Sequence, residues 1–189
     1  MNQKDQLKHV LEVLAPHLAA DDGEKSGSIV VMMCGVSGAG KSTLSSAIVD
    51  AFPSFTRLSI DAIVADHHGI YNVDYPPAQY ELYLEEARQM FSESTLELLG
   101  KNKDVVLDRS FYAKKHRDEY KAIIEQSGGR VILVYLKGDR DVLWRRICER
   151  RAKGIDADSA REISSGLLDQ FMKDFEVPKG EGEVVINVE

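Results

Sequence analysis

Apolar positions along this chain follow two alternating patterns. Short unbroken apolar runs are separated by longer stretches whose apolar residues return every three or four positions. The run SIVVMMC (28–34) is the clearest, and its lack of polar alternation predicts a strand covered on both faces. Residues 103–108, with Val105, Val106 and Leu107 at their centre, and VILVYL (131–136) repeat the pattern. Shorter versions lie at 56–60 and 183–188.

Helical spacing fills the intervals. Leu44, Ala47, Ile48 and Ala51 predict a helix over 41–52, stopped by Pro53. A short helix is read at 61–68, followed by the turn-rich GIYNVDYPP. A long one runs over 78–99, with Tyr80, Leu84, Ala87, Phe91 and Leu98 on one face and Gly100 as its stop. Residues 113–126 are helical up to Ser127-Gly128-Gly129. Asp139 is placed to cap a helix reaching Arg151, KGIDADS is a polar break, and 160–175 returns to helical spacing. Ahead of all this, Leu7, Val10, Leu11, Leu14 and Leu18 predict a helix over 5–20 that Pro16 should end or kink. Residues 1–27 are therefore read as an N-terminal helix and linker packing on a body at 28–189. Strands alternating with helices predict an α/β body with a parallel sheet.

Composition narrows the function classes. The 189 residues are 43% hydrophobic and 29% charged, which suits a globular chain with a core of its own. Lys plus Arg is 24 against 31 for Asp plus Glu, a net charge of −7 that disfavours a nucleic-acid binder. The apolar run at 29–34 is too short to cross a bilayer, and the polar start MNQKDQLKH does not read as a secretory signal. Cys34 and Cys148 lack CxxC or zinc spacing and fit a reducing cytoplasm, with Cys34 expected to be an inert core residue.

The chemistry begins with GVSGAGKST: Gly35, Val36, Ser37, Gly38, Ala39, Gly40, Lys41, Ser42 and Thr43. This is G-x-x-x-x-G-K-[ST], placed directly after a buried strand and opening a helix. Glycines let the backbone turn its N–H groups inward around an anion, and the helix N-terminus adds partial positive charge. Lys41 can then reach the β- and γ-phosphates of ATP, and the Ser42 hydroxyl can ligate Mg²⁺.

Ligands of open α/β sheets bind beyond the carboxyl ends of the strands, so the residues closing the other strands matter next. Asp61 follows Leu58-Ser59-Ile60, and Asp108 follows Val105-Val106-Leu107. Asp61 suits a carboxylate that orients and deprotonates an acceptor hydroxyl; Asp108 suits support of the metal or the substrate. The bland alternative for Asp61 is a helix N-cap. In LWRRICERRAKG, Arg146 and Arg150 share a helix edge, placed to neutralise phosphoryl charge or stack on a base. Arg109 and Arg117 flank the Asp108 strand end and are candidates to clamp an anionic or polar acceptor, with surface ion pairing as the alternative. His67-His68 reads as a surface turn, and Trp144, Phe171 and Phe175 as packing residues.

The order GVSGAGKST, LSIDAI, VVLDRSF, RRICERR resembles the small P-loop kinases, among them shikimate kinase, gluconate kinase, chloramphenicol phosphotransferase and the kinase domain of polynucleotide kinase. The resemblance spans roughly residues 28–188. It implies a three-layer P-loop NTPase fold, with a five-stranded parallel sheet in order 2-3-1-4-5, helices on both faces and a mobile lid. It implies Lys41 and Ser42 at the phosphates and Mg²⁺, Asp61 as the acceptor-activating carboxylate, and Asp108 as the acidic strand end. Arg146 and Arg150 match the arginine pair at the lid, and the loop around Pro178 is implied to frame the base. The chain departs from gluconate kinases in lacking Gly-His-Phe after the arginine pair, and the acceptor pattern of shikimate kinases is not evident. The insertion at 69–100, rich in tyrosines and acids, is expected to shape the acceptor pocket. The resulting expectation is ATP-dependent transfer to a hydroxyl of a small molecule. The alternatives are a polynucleotide 5′-hydroxyl kinase, favoured by a basic track around Arg109, Lys114, Lys115 and Arg117, and a slow nucleotide-binding switch.

Overall fold

The first buried run becomes the centre of the sheet. In the computed structural model, which describes residues 3–19, 27–159 and 161–189, β1 (Ile29–Cys34) is buried at every position. It pairs in parallel with β3 (Asp104–Asp108) on one side and β4 (Arg130–Lys137) on the other. β2 (Phe55–Ser59) adds to β3, and β5 (Glu183–Asn187) to β4, giving the order 2-3-1-4-5 implied by the resemblance. The register is pinned by Val30 opposite Val105 and Val31 opposite Ile132. The Asp104 carboxylate accepts from the Ile29 N–H at 3.0 Å, fastening the start of β1 to its neighbour.

Alternate residues of the strands feed two cores. Val31, Met33, Val106 and Val134 pack beneath α1 (Gln3–Leu18), α2 (Lys41–Ala51), α6 (Arg140–Lys153) and α7 (Ser165–Asp174). Val30, Met32, Val105 and Leu107 face α3 (Ile60–His68), α4 (Tyr80–Gly100) and α5 (Lys114–Gln126). A strand covered on both faces has no polar side to show, so β1 and β3 read as continuous apolar runs.

Three expectations about elements change. Pro16 does not end α1, which runs to Leu18 with the proline in its last turn. The helix expected over 160–175 begins only at Ser165, where the Ser164 side chain caps it by accepting from the Leu167 N–H at 3.2 Å. Asp139 occupies the N-cap position of α6 without making a side-chain capping bond. Short 3₁₀ turns at Pro77–Gln79 and Ala157–Ser159 precede α4 and follow α6. α1 packs on the body through Leu14 and Leu18, both buried in the first core. No helix among the described residues is long and apolar enough to cross a membrane.

Candidate active site

The loop between β1 and α2 has the backbone its sequence requires. Gly38 has φ +85°, and a Cβ there would lie 2.7 Å from the Leu143 carbonyl oxygen. Gly40 has φ +96° and hands directly into α2 at Lys41. A side chain at either position would strain the turn. The Lys41 ammonium donates to the Val36 carbonyl of its own loop at 3.2 Å. Burial pulls the Lys41 pKa below its ordinary value, with Asp108 and Asp61 acting in the opposite direction. The loop fits a polyphosphate: its turns at Gly38 and Gly40 need the positive φ that glycine allows, and the Lys41 ammonium stands at the loop beside the cavity.

A cavity of about 280 Å³ opens over this loop at the carboxyl ends of the strands. Gly38, Gly40, Lys41, Ser42 and Thr43 form one side, and Asp61, Asp108 and Arg109 another. The hydroxyl of Ser59, not Asp61, caps α3 by accepting from the Ala62 N–H at 3.3 Å. That leaves the Asp61 carboxylate in the first helical turn, facing the cavity and in contact with solvent there. Removal of surrounding water, then the charges of Asp158 and Asp108, push its pKa up to about 6, against the opposing pull of Lys41 and Arg150.

Asp108 is buried and paired. Arg57 of β2 donates to Asp108 Oδ2 from Nε at 2.9 Å and from Nη2 at 2.6 Å. The same Nη2 donates to Asp158 Oδ1 at 2.7 Å, so Arg57 links the sheet to the 3₁₀ turn after α6. Both bonds to Asp108 fall on Oδ2, so Oδ1 is not engaged by Arg57. Ser42 and Asp108 both line the cavity, so a hydroxyl and a carboxylate border one space, and oxygens of this kind are what Mg²⁺ takes beside its waters and phosphates.

The arginine pair divides. Arg150 lines this cavity with the phosphate loop. Arg146 points to the other side of the loop, donating to the Ala39 carbonyl at 3.4 Å and lining a separate cavity. Arg117 is not brought to either of these cavities. It is fully buried, holding Glu181 through two bonds of 2.8 Å and donating to the Phe111 carbonyl at 2.9 Å. The reason is topological: α5 lies against the loop before β5, so the arginine anchors that loop. Pro178 sits in the same loop, buried, and lines neither cavity. The Glu176 N–H donates to the Tyr112 carbonyl and the Glu176 carboxylate accepts from the Lys114 N–H, tying this stretch to the start of α5.

Other residues complete the cavity. Tyr71, Tyr75 and Tyr80, from the stretch before α4 and its first turn, form an aromatic wall with edge-on contacts at 5.2–6.1 Å. Burial and the charge of Asp61 raise the pKa of Tyr75 and Tyr80. Arg88, Arg109 and Arg161 line the same space. Arg161 lies over the Tyr80 ring at 5.0 Å and the Phe171 ring at 5.8 Å, so Phe171 borders the cavity where packing alone was expected. Arg109 lies over Phe111 and Tyr120, and among the described residues neither Arg109 nor Arg161 forms an ion pair. His68 stacks on Tyr83 at 3.7 Å and pairs with Glu86, half-buried where a surface turn was expected. Sequence reading passed over Arg57 and Arg161. A charge inside the β2 run must find a partner when half-buried, which was the available signal for Arg57; Arg161, alone after a polar break, carried none.

A family model for AAA domains, AAA_33, matches residues 30–178. The chain belongs to the AAA_33 family of AAA domains. A search of curated proteins finds no match. Among solved structures, this AAA_33 chain is similar to a gluconokinase from Sinorhizobium meliloti 1021. The two are 27% identical with a TM-score of 0.58, over 86% of this chain and 83% of that one. It is also similar to Kti12 of Chaetomium thermophilum in complex with ADP-AlF3, at 15% identity and TM-score 0.60 over 84% of this chain and 88% of that one. A sugar kinase from Janibacter sp. HTCC2649 aligns at 19% identity and TM-score 0.50, over 85% of each chain. The resemblance to small P-loop kinases holds, and the last two likenesses speak for the shared fold alone. Nucleotide binding is the property this AAA_33 fold implies.

Proposed function

We propose that this chain is an ATP-dependent phosphotransferase that moves the γ-phosphate to a hydroxyl of a small polar molecule. The observation that carries the reading is one cavity bordered by both the phosphate loop and the Asp61 carboxylate, which no capping bond occupies. Likeness to a gluconokinase at 27% identity supports a kinase over a switch.

In this mechanism the loop amides and Lys41 hold the β- and γ-phosphates. Asp61 accepts the proton of the acceptor hydroxyl as the oxygen attacks the γ-phosphorus and the bond to the β-phosphate oxygen breaks. Lys41 and Arg150 meet the charge on the transferring group. Mg²⁺, when bound, neutralises phosphate charge, and Ser42 with Asp108 Oδ1 would hold it. Arg109 and Arg161, in no ion pair among the described residues, orient an anionic or strongly polar acceptor against the tyrosine wall.

Of the basic track that would favour an oligonucleotide, Arg109 lines the cavity and the other three members face acids. Lys114 is paired with Asp118 and Lys115 with Glu119, while Arg117 is buried on Glu181. The test is transfer from γ-labelled ATP to a panel of sugars, sugar acids, nucleosides, antibiotics and oligonucleotides. Label on a small hydroxyl compound is the expected result. Label on oligonucleotides alone, or hydrolysis with no acceptor, would refute the proposal.

A further inference from the structure

A second cavity, of about 70 Å³, lies on the far side of the phosphate loop. It shares Gly40 and Thr43 with the first cavity, so the turn entering α2 separates the two. A polyphosphate laid along that turn, with its terminal phosphate toward Asp61, has its other end directed here. The site also lies at the carboxyl ends of β4 and β5, where Leu136, Ile186 and Asn187 line it. Ligands of such sheets bind at these strand ends.

The wall opposite the sheet is supplied by α1. Gln6, Leu7 and Val10, three residues on one face of this helix, border the cavity. The chemistry is that of a flat heteroaromatic ring: apolar surfaces from Leu7, Val10 and Ile186, a guanidinium from Arg146, and carboxamides from Gln6 and Asn187. Guanidinium planes stack on bases, and carboxamides match the paired donor and acceptor on an adenine edge. The volume is several times the roughly 10–15 Å³ that one water needs. Arg146 is fixed beside the loop by its bond to Ala39, and a Cβ on Gly40 would lie 3.5 Å from its Nη1. The loop around Pro178, implied by resemblance to frame the base, does not border this space.

We infer that the N-terminal helix forms one wall of the nucleobase pocket, so that Gln6, Leu7 and Val10 hold the base of the nucleotide whose phosphates lie on the 35–43 loop. The inference rests on the nucleotide reading above and adds to it the element that selects the base. α1 then does more than shield the core beneath Leu14 and Leu18. Part of the affinity for nucleotide is spent against it, and nucleotide binding holds α1 in place.

The experiment compares magnesium ATP with magnesium tripolyphosphate, which carries the phosphates without a base. Calorimetry is run on the full chain and on Val10→Trp, which fills the cavity. Wild type is expected to bind ATP more tightly than tripolyphosphate. Val10→Trp is expected to lose at least tenfold for ATP and to hold tripolyphosphate within twofold. Unchanged ATP affinity in Val10→Trp, or equal loss for both ligands, overturns the inference while leaving the phosphate site standing. Failure of wild type to bind either ligand overturns the nucleotide reading itself. A measurement on the unaltered protein guards against a folding defect: photolabelling with 8-azido-ATP, followed by tryptic mapping. Label on peptides from residues 5–25 supports the inference, and label confined to other peptides overturns it.

Discussion

Replacing Asp61 by asparagine removes the proposed base and nearly preserves its shape. General-base assistance contributes about 10²–10⁴-fold, so transfer should fall by that much. Affinity for magnesium ATP should stay within a few-fold, because Lys41 and the loop amides are untouched. Wild-type kcat/KM should rise with pH through a midpoint near the Asp61 value of about 6, since the ionised carboxylate is the active form. The same shift makes a stability prediction of opposite sense. The folded value lies above the ordinary 3.8, so folding favours the protonated carboxyl. That contribution is complete below the unfolded value and is lost as pH rises through the folded one. A rise of roughly two units corresponds to about 3 kcal/mol at most. Asp61 meets solvent in the cavity, and screening brings this to about 1 kcal/mol. Asp61→Asn should therefore match wild type in stability near pH 4. At pH 8 its Tm should be higher by about 2–4 °C in a chain of this length. Thermal melts at the two pH values and single-turnover transfer assays read both effects. A variant that transfers phosphate at the wild-type rate, with no stability gain at high pH, would refute the assignment.

Arg117→Ala should cost about 3–5 kcal/mol, because it leaves the buried Glu181 carboxylate without its partner; urea unfolding measures it, and a loss under 1 kcal/mol would contradict the anchoring role. Arg57→Ala strips Asp108 of its partner and frees Asp158, so the 157–159 turn should become more open to proteolysis; an unchanged cleavage pattern would show that the tie does not hold the turn. Burial pushes the Cys34 thiol up to about 11, so a thiol-reactive dye on native protein should label Cys148 alone, with Cys34 reacting only after denaturation.

The three central strands were legible because they are buried on both faces and so read as apolar runs, while the edge strands β2 and β5 are only partly buried and read more weakly. The phosphate loop was equally plain, since its glycines, lysine and serine are fixed by local backbone geometry within nine consecutive residues. Long-range pairing was not legible. Whether Arg117 faces a ligand or Glu181 depends on how a loop 64 residues later packs, and nothing in the spacing of α5 records that. Arg146 and Arg150 share a helix edge, yet one lies on each side of the phosphate loop, because the loop backbone comes between them. The fate of Asp61 turned on Ser59 taking the capping bond, a competition between neighbours that sequence alone leaves open.

Whether the turn from Gly35 to Thr43 grips a polyphosphate is decided by titrating magnesium ATP into wild type and Lys41→Ala in a calorimeter. Saturable heat with one site is expected for wild type, and at least a tenfold weaker association for Lys41→Ala, whose melting temperature stays within a few degrees. No heat for the wild type, or equal affinity in the two proteins, would contradict the grip.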